Sequence, residues 1–203
     1  MDKEELKKLK ARVIELLRST KIQDIDYFIE ELERTDYFKA PASAKGHLCF
    51  EGGLMVHSLN VYDAAMLLKK SLMAVRPDIY EKVSDESIIV TALLHDMCKA
   101  DLYFKRRGAQ VDFGQAEYGF NQTDLPVGHG EKSVIRLFQM GLDLTDAEIC
   151  AIRWHMGAWS VNQADSEQQK DIKQAEKLYP LVTLLHMADT VAAKVYERPA
   201  STI

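Results

Sequence analysis

An apolar segment that ends in ionisable residues constrains this chain more than any other sequence feature. Residues 88–94 read Ile-Ile-Val-Thr-Ala-Leu-Leu, and His95 and Asp96 follow directly. Such a segment packs inside a core, where an unpaired charge costs on the order of several kcal/mol or is lost by titration. His95 and Asp96 therefore need a compensating partner, and a metal ion is one that suits both.

The position of Lys99 adds a cation to the same region. It lies four residues after His95 and three after Asp96, which places its ammonium over the same patch of a helix. There the ammonium is positioned to meet an anion such as phosphate. The alternative is a capped core histidine beside a solvated Asp-Lys pair, which a lone His-Asp doublet does not exclude.

Two more histidines lie near the starts of other predicted helices. A glycine pair precedes a segment with helical spacing of apolar residues, and His57 lies on or beside its apolar stripe. His129 stands in a glycine-flanked turn, directly before another apolar segment. Either histidine alone is compatible with a purely structural role.

The C-terminal half contributes a further histidine and an acid. Residues 145–148, Thr-Asp-Ala-Glu, form a capping box, and His155 stands at the far end of the helix that they open. Asp189 interrupts the segment 181–193, which is otherwise apolar almost all round. Imidazoles and carboxylates on separate helices are how helical bundles build metal sites.

The order of these residues resembles the HD-domain superfamily of metal-dependent phosphohydrolases. The resemblance covers roughly residues 41–197 and includes the glycine pair, Lys99 after the doublet, and Ala188 before the final acid. It implies an all-α fold, a helical bundle of the HD-domain type. Many members carry paired histidines at the fourth position, where this chain has Met156 after His155.

The resemblance also implies a ligand set for one or two metal ions. The first histidine, the doublet and the last aspartate would bind one ion, and two further histidines would hold a second ion with Asp96 as the bridge. The candidate ligands are His57, His95, Asp96, His129, His155 and Asp189.

The chemistry of this ligand set predicts which metals suit the site. Mixed imidazole and carboxylate ligands suit Fe, Mn, Co, Ni or Zn. The resemblance implies one or two divalent ions per chain, and Mg is kept as a further candidate. The three cysteines, Cys49, Cys98 and Cys150, form no CxxC pair, so sulfur-based structural zinc is not expected. Cys98 lies close to the doublet, either as a thiol that tunes the site or as an ordinary buried cysteine.

The predicted function is hydrolysis of a phosphoester of a nucleotide or a small phosphorylated metabolite, with metal-bound hydroxide as the nucleophile. Asp96 and Lys99 are the predicted catalytic residues. Substrate contacts are predicted for Lys99, Arg106 and Arg107, and the resemblance implies one for His47. For His47 the alternative is a structural hydrogen bond, and for the two arginines it is plain solvated surface. An HD-type di-iron oxygenase and a non-catalytic ligand-binding module remain as alternative functions.

The length of the chain indicates a single domain. The chain has 203 residues, enough for one substantial core and few for two domains. We expect N-terminal helices in residues 1–40, a metal-binding helical core in 41–197 and a tail in 198–203.

The densely charged start and the lack of an apolar run of about 18 residues predict a cytoplasmic protein with no membrane contact. A net charge of −5 argues against a large nucleic-acid partner and leaves a small phosphorylated substrate as the expected one.

Two amphipathic helices are predicted ahead of the metal-binding core, at Lys3–Arg18 and at residues 24–38. Their apolar faces either cover the core of the same domain or form a homo-oligomer contact. Residues 102–125 break the helical pattern with glycines and the alternating stretch 110–113. A small irregular or β-hairpin insert is therefore expected in that region.

Overall fold

The computed structural model describes residues 1–107, 116–122, 125–162 and 164–198. The described chain is mostly α-helical with one two-stranded antiparallel hairpin, which confirms the predicted all-α fold with a hairpin insert. The helices are α1 (Lys3–Arg18), α2 (Ile25–Arg34), α3 (Gly53–Met73), α4 (Pro77–Tyr80), α5 (Asp85–Leu94), α6 (His129–Gln139), α7 (Asp146–Trp154), α8 (Ser166–Leu178) and α9 (Pro180–Val191). None of these helices is long and apolar enough to cross a membrane.

The centre of the fold is α5, which packs against α3, α7 and α9. All of its residues from Ile88 to Leu94 are buried. A helix that is apolar all round is stable only when other elements surround it. The two residues that follow are buried as well: His95 is 0% and Asp96 3% exposed.

The helices α1 and α2 cover one side of this core. Val13 of α1 and Phe28 of α2 are buried in the main apolar cluster, which confirms that these amphipathic faces cover the chain's own core. Helix α2 ends at Arg34 rather than at residue 38. The backbone of Thr35 turns extended there, and its hydroxyl donates to a carbonyl oxygen of the last helical turn at 2.8 Å.

The insert between α5 and α6 contains the predicted hairpin. Strands β1 (Tyr103–Lys105) and β2 (Tyr118–Phe120) pair with Tyr103 opposite Phe120. The guanidinium of Arg106 donates to the carbonyl oxygens of Ala116 at 2.8 Å and Tyr118 at 2.7 Å. Residues 110–113 lie outside the described residues, as do residues 199–203 of the predicted tail.

The C-terminal end of α5 is held by two side chains. The last carbonyl groups of an α-helix have no partner within the helix. The hydroxyl of the fully buried Tyr37 donates to the carbonyl oxygen of Leu93 at 2.6 Å. The ring of His95 reaches back to the carbonyl oxygen of Ala92, with Nδ1 at 2.9 Å. These contacts fix the point at which the chain leaves the helix.

Replacing Tyr37 by Phe should therefore lower the free energy of unfolding by about 1 to 2 kcal/mol, because it leaves the buried carbonyl of Leu93 unpaired. Tyr27→Phe is the matched control, since Tyr27 is 56% exposed and should change stability by less than about 0.5 kcal/mol. Urea denaturation of both variants measures the difference. Equal effects of the two substitutions would show that the Tyr37 hydroxyl does not support this helix end.

Candidate metal centre

All six histidines of the chain lie in one region of the structure. Five of their rings follow one another with centroid separations of 5.5, 5.3, 4.8 and 5.2 Å, in the order His47, His57, His95, His155, His129. The sixth, His186, donates through Nδ1 to the carbonyl oxygen of His155 at 2.6 Å. Residues that are far apart in sequence therefore meet at a single centre.

His95 and His155 occupy equivalent positions, each directly after the end of a helix. The Nδ1 atom of His95 lies 2.9 Å from the carbonyl oxygen of Ala92, and that of His155 lies 2.7 Å from the carbonyl oxygen of Ile152. A carbonyl oxygen can only accept a hydrogen bond, so Nδ1 carries the proton in both rings. Burial lowers the pKa of His155, which keeps this ring neutral at pH 7. The helix ends thus fix the tautomer.

The remaining nitrogen of each ring faces Asp96. The Nε2 atom of His95 lies 3.5 Å from Oδ2 of Asp96, and Nε2 of His155 lies 3.6 Å from Oδ1. Within the described part of the chain, neither Nε2 atom has a hydrogen-bond partner, although both are fully buried. Buried ring nitrogens without a hydrogen-bond partner are costly, and a cation among them would remove that cost. The donor set fits a divalent metal ion.

Asp96 is the centre of the cluster. Its Oδ1 atom accepts from Nε2 of His129 at 2.6 Å, and its Oδ2 atom accepts from Nζ of Lys99 at 2.6 Å. Burial raises the pKa of Asp96, but Lys99 and the histidines outweigh this effect and hold the pKa well below its usual value. Asp96 is therefore an ionised carboxylate whose two oxygens accept hydrogen bonds from different residues.

His57 of α3 joins the cluster from the Oδ2 side of Asp96. Its Nε2 atom lies 3.7 Å from that oxygen and 3.2 Å from Oδ1 of Asp189 on α9. Burial lowers the pKa of His57, but hydrogen bonds to Asp189 and Glu197 outweigh it and raise the pKa to about 9. Protons and a metal ion compete for this nitrogen, so metal affinity rises with pH.

His129 is the first residue of α6 and lies between Asp96 and Cys98. Its Nδ1 atom is 3.2 Å from Sγ of Cys98. Burial lowers the pKa of His129, but the contacts with Asp96 and Cys98 raise it to about 10. A close approach of α6 and α7 sets this position, because a Cβ at Gly130 would clash with the main chain of Arg153. Cys98 is therefore part of the centre.

Glu197 is a site residue that the sequence patterns did not indicate. Its side chain is 1% exposed, and its Oε1 atom accepts from Nδ1 of His57 at 2.9 Å and from Asn60 at 3.1 Å. A π-helical turn, Ala192–Tyr196, separates Asp189 of α9 from Glu197, and both carboxylates contact the ring of His57. A carboxylate on the far nitrogen of a ligand histidine orients the ring and strengthens the ligand. The available signal was an acid two helical turns after Asp189.

The candidate ligands fall into overlapping groups whose ligand atoms lie within 4.8 Å of one another. These groups are His57 with His95 and Asp189, His95 with Asp96 and His155, Asp96 with Cys98 and His129, and His47 with His57 and Glu197. The structure thus brings together all six residues that were predicted from the sequence to be metal ligands. It also adds a thiol to the third group.

A cavity of about 340 Å³ leads to this cluster. Its wall includes His57, Asp96 and Asp189, together with Lys99 and His47. Small ligands occupy cavities of this size. A larger cavity of about 590 Å³ lies beside the hairpin, and the described residues that line it include none of the six candidate ligands. The smaller cavity has four of the six candidate ligands in its wall and gives access to the centre.

The residues predicted to contact substrate divide between the cavity and the hairpin. Lys99 and His47 line the cavity, and Nε2 of His47 lies 3.4 Å from Oε2 of Glu197. Arg106 binds main-chain carbonyl groups of the hairpin, and Arg107 is exposed. The substrate contacts of both arginines stay a prediction.

Comparisons with known proteins identify one partial relative. No protein-family model and no solved structure matches the chain. Over 110 residues the chain is 33% identical to a dihydroneopterin 2′,3′-cyclic phosphate phosphodiesterase from Methanocaldococcus jannaschii. The matched segment is 51% of this chain and 39% of the relative, so the chain spans well under half of the relative's length.

Replacing Asp96 by Asn should remove most of the bound metal, because it deletes the negative charge that the candidate ligand histidines face. The helical content should stay nearly unchanged. Asp63→Asn is the matched control, since Asp63 pairs with Arg12 on the surface of α3. Elemental analysis and circular dichroism of the two variants measure the outcome. Full metal occupancy in Asp96→Asn would refute its assignment as a ligand.

The number of ions is tested at His129. If His129 and His155 hold a second ion, the wild-type protein should bind two ions per chain, and His129→Ala should bind about one while the first ion is retained. Equilibrium dialysis with increasing metal concentration counts the sites. Saturation of the wild-type protein at one ion would reject the binuclear arrangement.

Proposed function

We propose that this chain is a metal-dependent phosphohydrolase of the HD-domain type, which cleaves a phosphoester of a nucleotide or another small phosphorylated metabolite. The observation that carries the proposal is the pair of buried Nε2 atoms of His95 and His155 that face Asp96 without a hydrogen-bond partner in the described chain. The partial relative supports the hydrolase class, since it is a phosphodiesterase that acts on a cyclic phosphate.

The two oxygens of Asp96 divide the candidate ligands into two sets. His57, His95 and Asp189 lie on the Oδ2 side and would hold one ion. His129 and His155 lie on the Oδ1 side and would hold a second ion. The ions are one or two of Fe, Mn, Co, Ni, Zn or Mg, and when bound they lower the pKa of a coordinated water and withdraw charge from phosphoryl oxygens.

Side chains of the cavity wall would bind the phosphoryl group. Burial lowers the pKa of Lys99, but Asp96 outweighs this effect and raises it, so the ammonium stays charged at neutral pH. Lys99 lies at the cavity wall and offers donors beyond the one it gives to Asp96. It would bind a phosphoryl oxygen as a compact positive charge. Lys194 adds a second, more exposed cation at the same cavity.

The proposed reaction is tested by activity with defined metals. Protein stripped with a chelator and reloaded with manganese, cobalt, nickel or iron is assayed against phosphomonoesters and cyclic phosphodiesters. Phosphoester cleavage that depends on the metal and is lost in Asp96→Asn would support the proposal. Oxygen consumption by the iron form without phosphoester cleavage would overturn it in favour of an oxygenase.

The role of Lys99 is tested on whichever phosphoester the assay identifies. Lys99→Ala should keep the metal and lower kcat/KM by about 30- to 1000-fold, because a charge-assisted contact in a desolvated site is lost. Lys105→Ala is the matched control, since Lys105 forms an exposed pair with Glu117 on the hairpin and should leave turnover unchanged. An unchanged kcat/KM in Lys99→Ala would eliminate its role in binding phosphate.

A further inference from the structure

Trp159 is the most exposed of the large apolar side chains in the described chain, at 89%. It lies in the 3-10 turn Gly157–Ser160, which begins two residues after His155. A tryptophan side chain presents roughly 200 Å² of surface, most of which folded proteins ordinarily bury. Its exposure beside a candidate ligand indicates a surface that is kept open for a partner.

The position of Trp159 connects it with the metal centre. Trp159 and Met156 line the cavity of about 340 Å³ that leads to the cluster. They also line a neighbouring cavity of about 450 Å³, whose wall includes His129 and Arg153. A molecule that places its phosphoryl group at the cluster therefore has the indole within the same binding region.

The composition of the cavity wall separates two kinds of contact. Lys99 and Lys194 supply positive charge for a phosphoryl group. Apart from imidazoles, Trp159 is the one aromatic side chain among the described residues that line this cavity. An indole face attracts flat π-systems by stacking, and this attraction tolerates different ring identities. The wall therefore pairs anion-binding groups with one ring-binding group.

We propose that Trp159 is a stacking platform for a planar heterocyclic ring of the substrate. The platform would select phosphoesters that carry a nucleobase-like ring over phosphoesters of plain sugars or alcohols. This inference rests on the proposed function for the phosphoester part of the substrate. The preference for a ring, however, belongs to Trp159 and can be measured as binding, without turnover.

The test uses two matched probes that the enzyme cannot cleave. These are the phosphonate analogues of guanosine 5′-monophosphate and of ribose 5-phosphate, in which carbon replaces the ester oxygen, so that the probes differ only at C1′ of the ribose, where one carries guanine and the other a hydroxyl. Calorimetry of the metal-loaded wild-type protein should show about 5- to 100-fold tighter binding of the guanine probe. Trp159→Ala should abolish this difference and leave the Kd of the ribose probe within about twofold.

Two further variants separate stacking from loss of structure. Trp159→Phe should keep part of the preference for guanine, because a smaller aromatic face remains. Phe120→Ala removes an exposed aromatic side chain from the hairpin and should leave both affinities unchanged. Equal affinities of the wild-type protein for the two probes, or an equal loss for both in Trp159→Ala, would overturn the platform.

Failure of the platform and failure of the proposed function give different results. A protein that prefers the guanine probe through Trp159 but cleaves no phosphoester retains the platform and refutes the hydrolase. A protein that cleaves phosphoesters with its metal but binds both probes equally retains the hydrolase and refutes the platform.

Discussion

The buried negative charge of Asp96 is the constraint on which the rest of the structure depends. A carboxylate inside a core is stable only where donors or cations surround it. Lys99 satisfies one oxygen and His129 the other. The apolar surroundings of α5 bring the carboxylate inside, and α3, α6, α7 and α9 each contribute a group that faces it or a neighbouring ligand. The packing that buries Asp96 therefore also supplies the groups that compensate its charge.

Helix ends do much of the positioning at this centre. His95 and His155 follow the last turns of α5 and α7, where carbonyl groups lack partners, and each ring supplies one. The same hydrogen bond holds the ring still and turns its other nitrogen toward Asp96. His129 occupies the opposite kind of position, as the first residue of α6. Ring orientation at the cluster thus follows from ordinary helix termination.

The all-α fold was predictable because each helix carries a local signal, whereas the grouping of the candidate ligands followed from the resemblance of their order to a known family. A glycine pair precedes His57, an apolar run precedes His95, and a capping box opens the helix that ends at His155. Glu197 was not predictable, because a π-helical turn departs from the 3.6-residue spacing on which sequence patterns rely. The bonds of Arg106 were equally hidden, since they depend on which carbonyl groups the strand register brings opposite it.

The π-helical turn after α9 has a consequence for how the chain tolerates change in length. Asp189 and Glu197 contact opposite nitrogens of one imidazole ring, and the intervening backbone contains a wider turn than an α-helix allows. Deleting one residue between them would rotate the following segment by about 100° and carry the Glu197 carboxylate off His57. Exposed side chains such as Val195 leave room for substitution there. The number of residues between Asp189 and Glu197 is therefore constrained even where individual exposed positions can change.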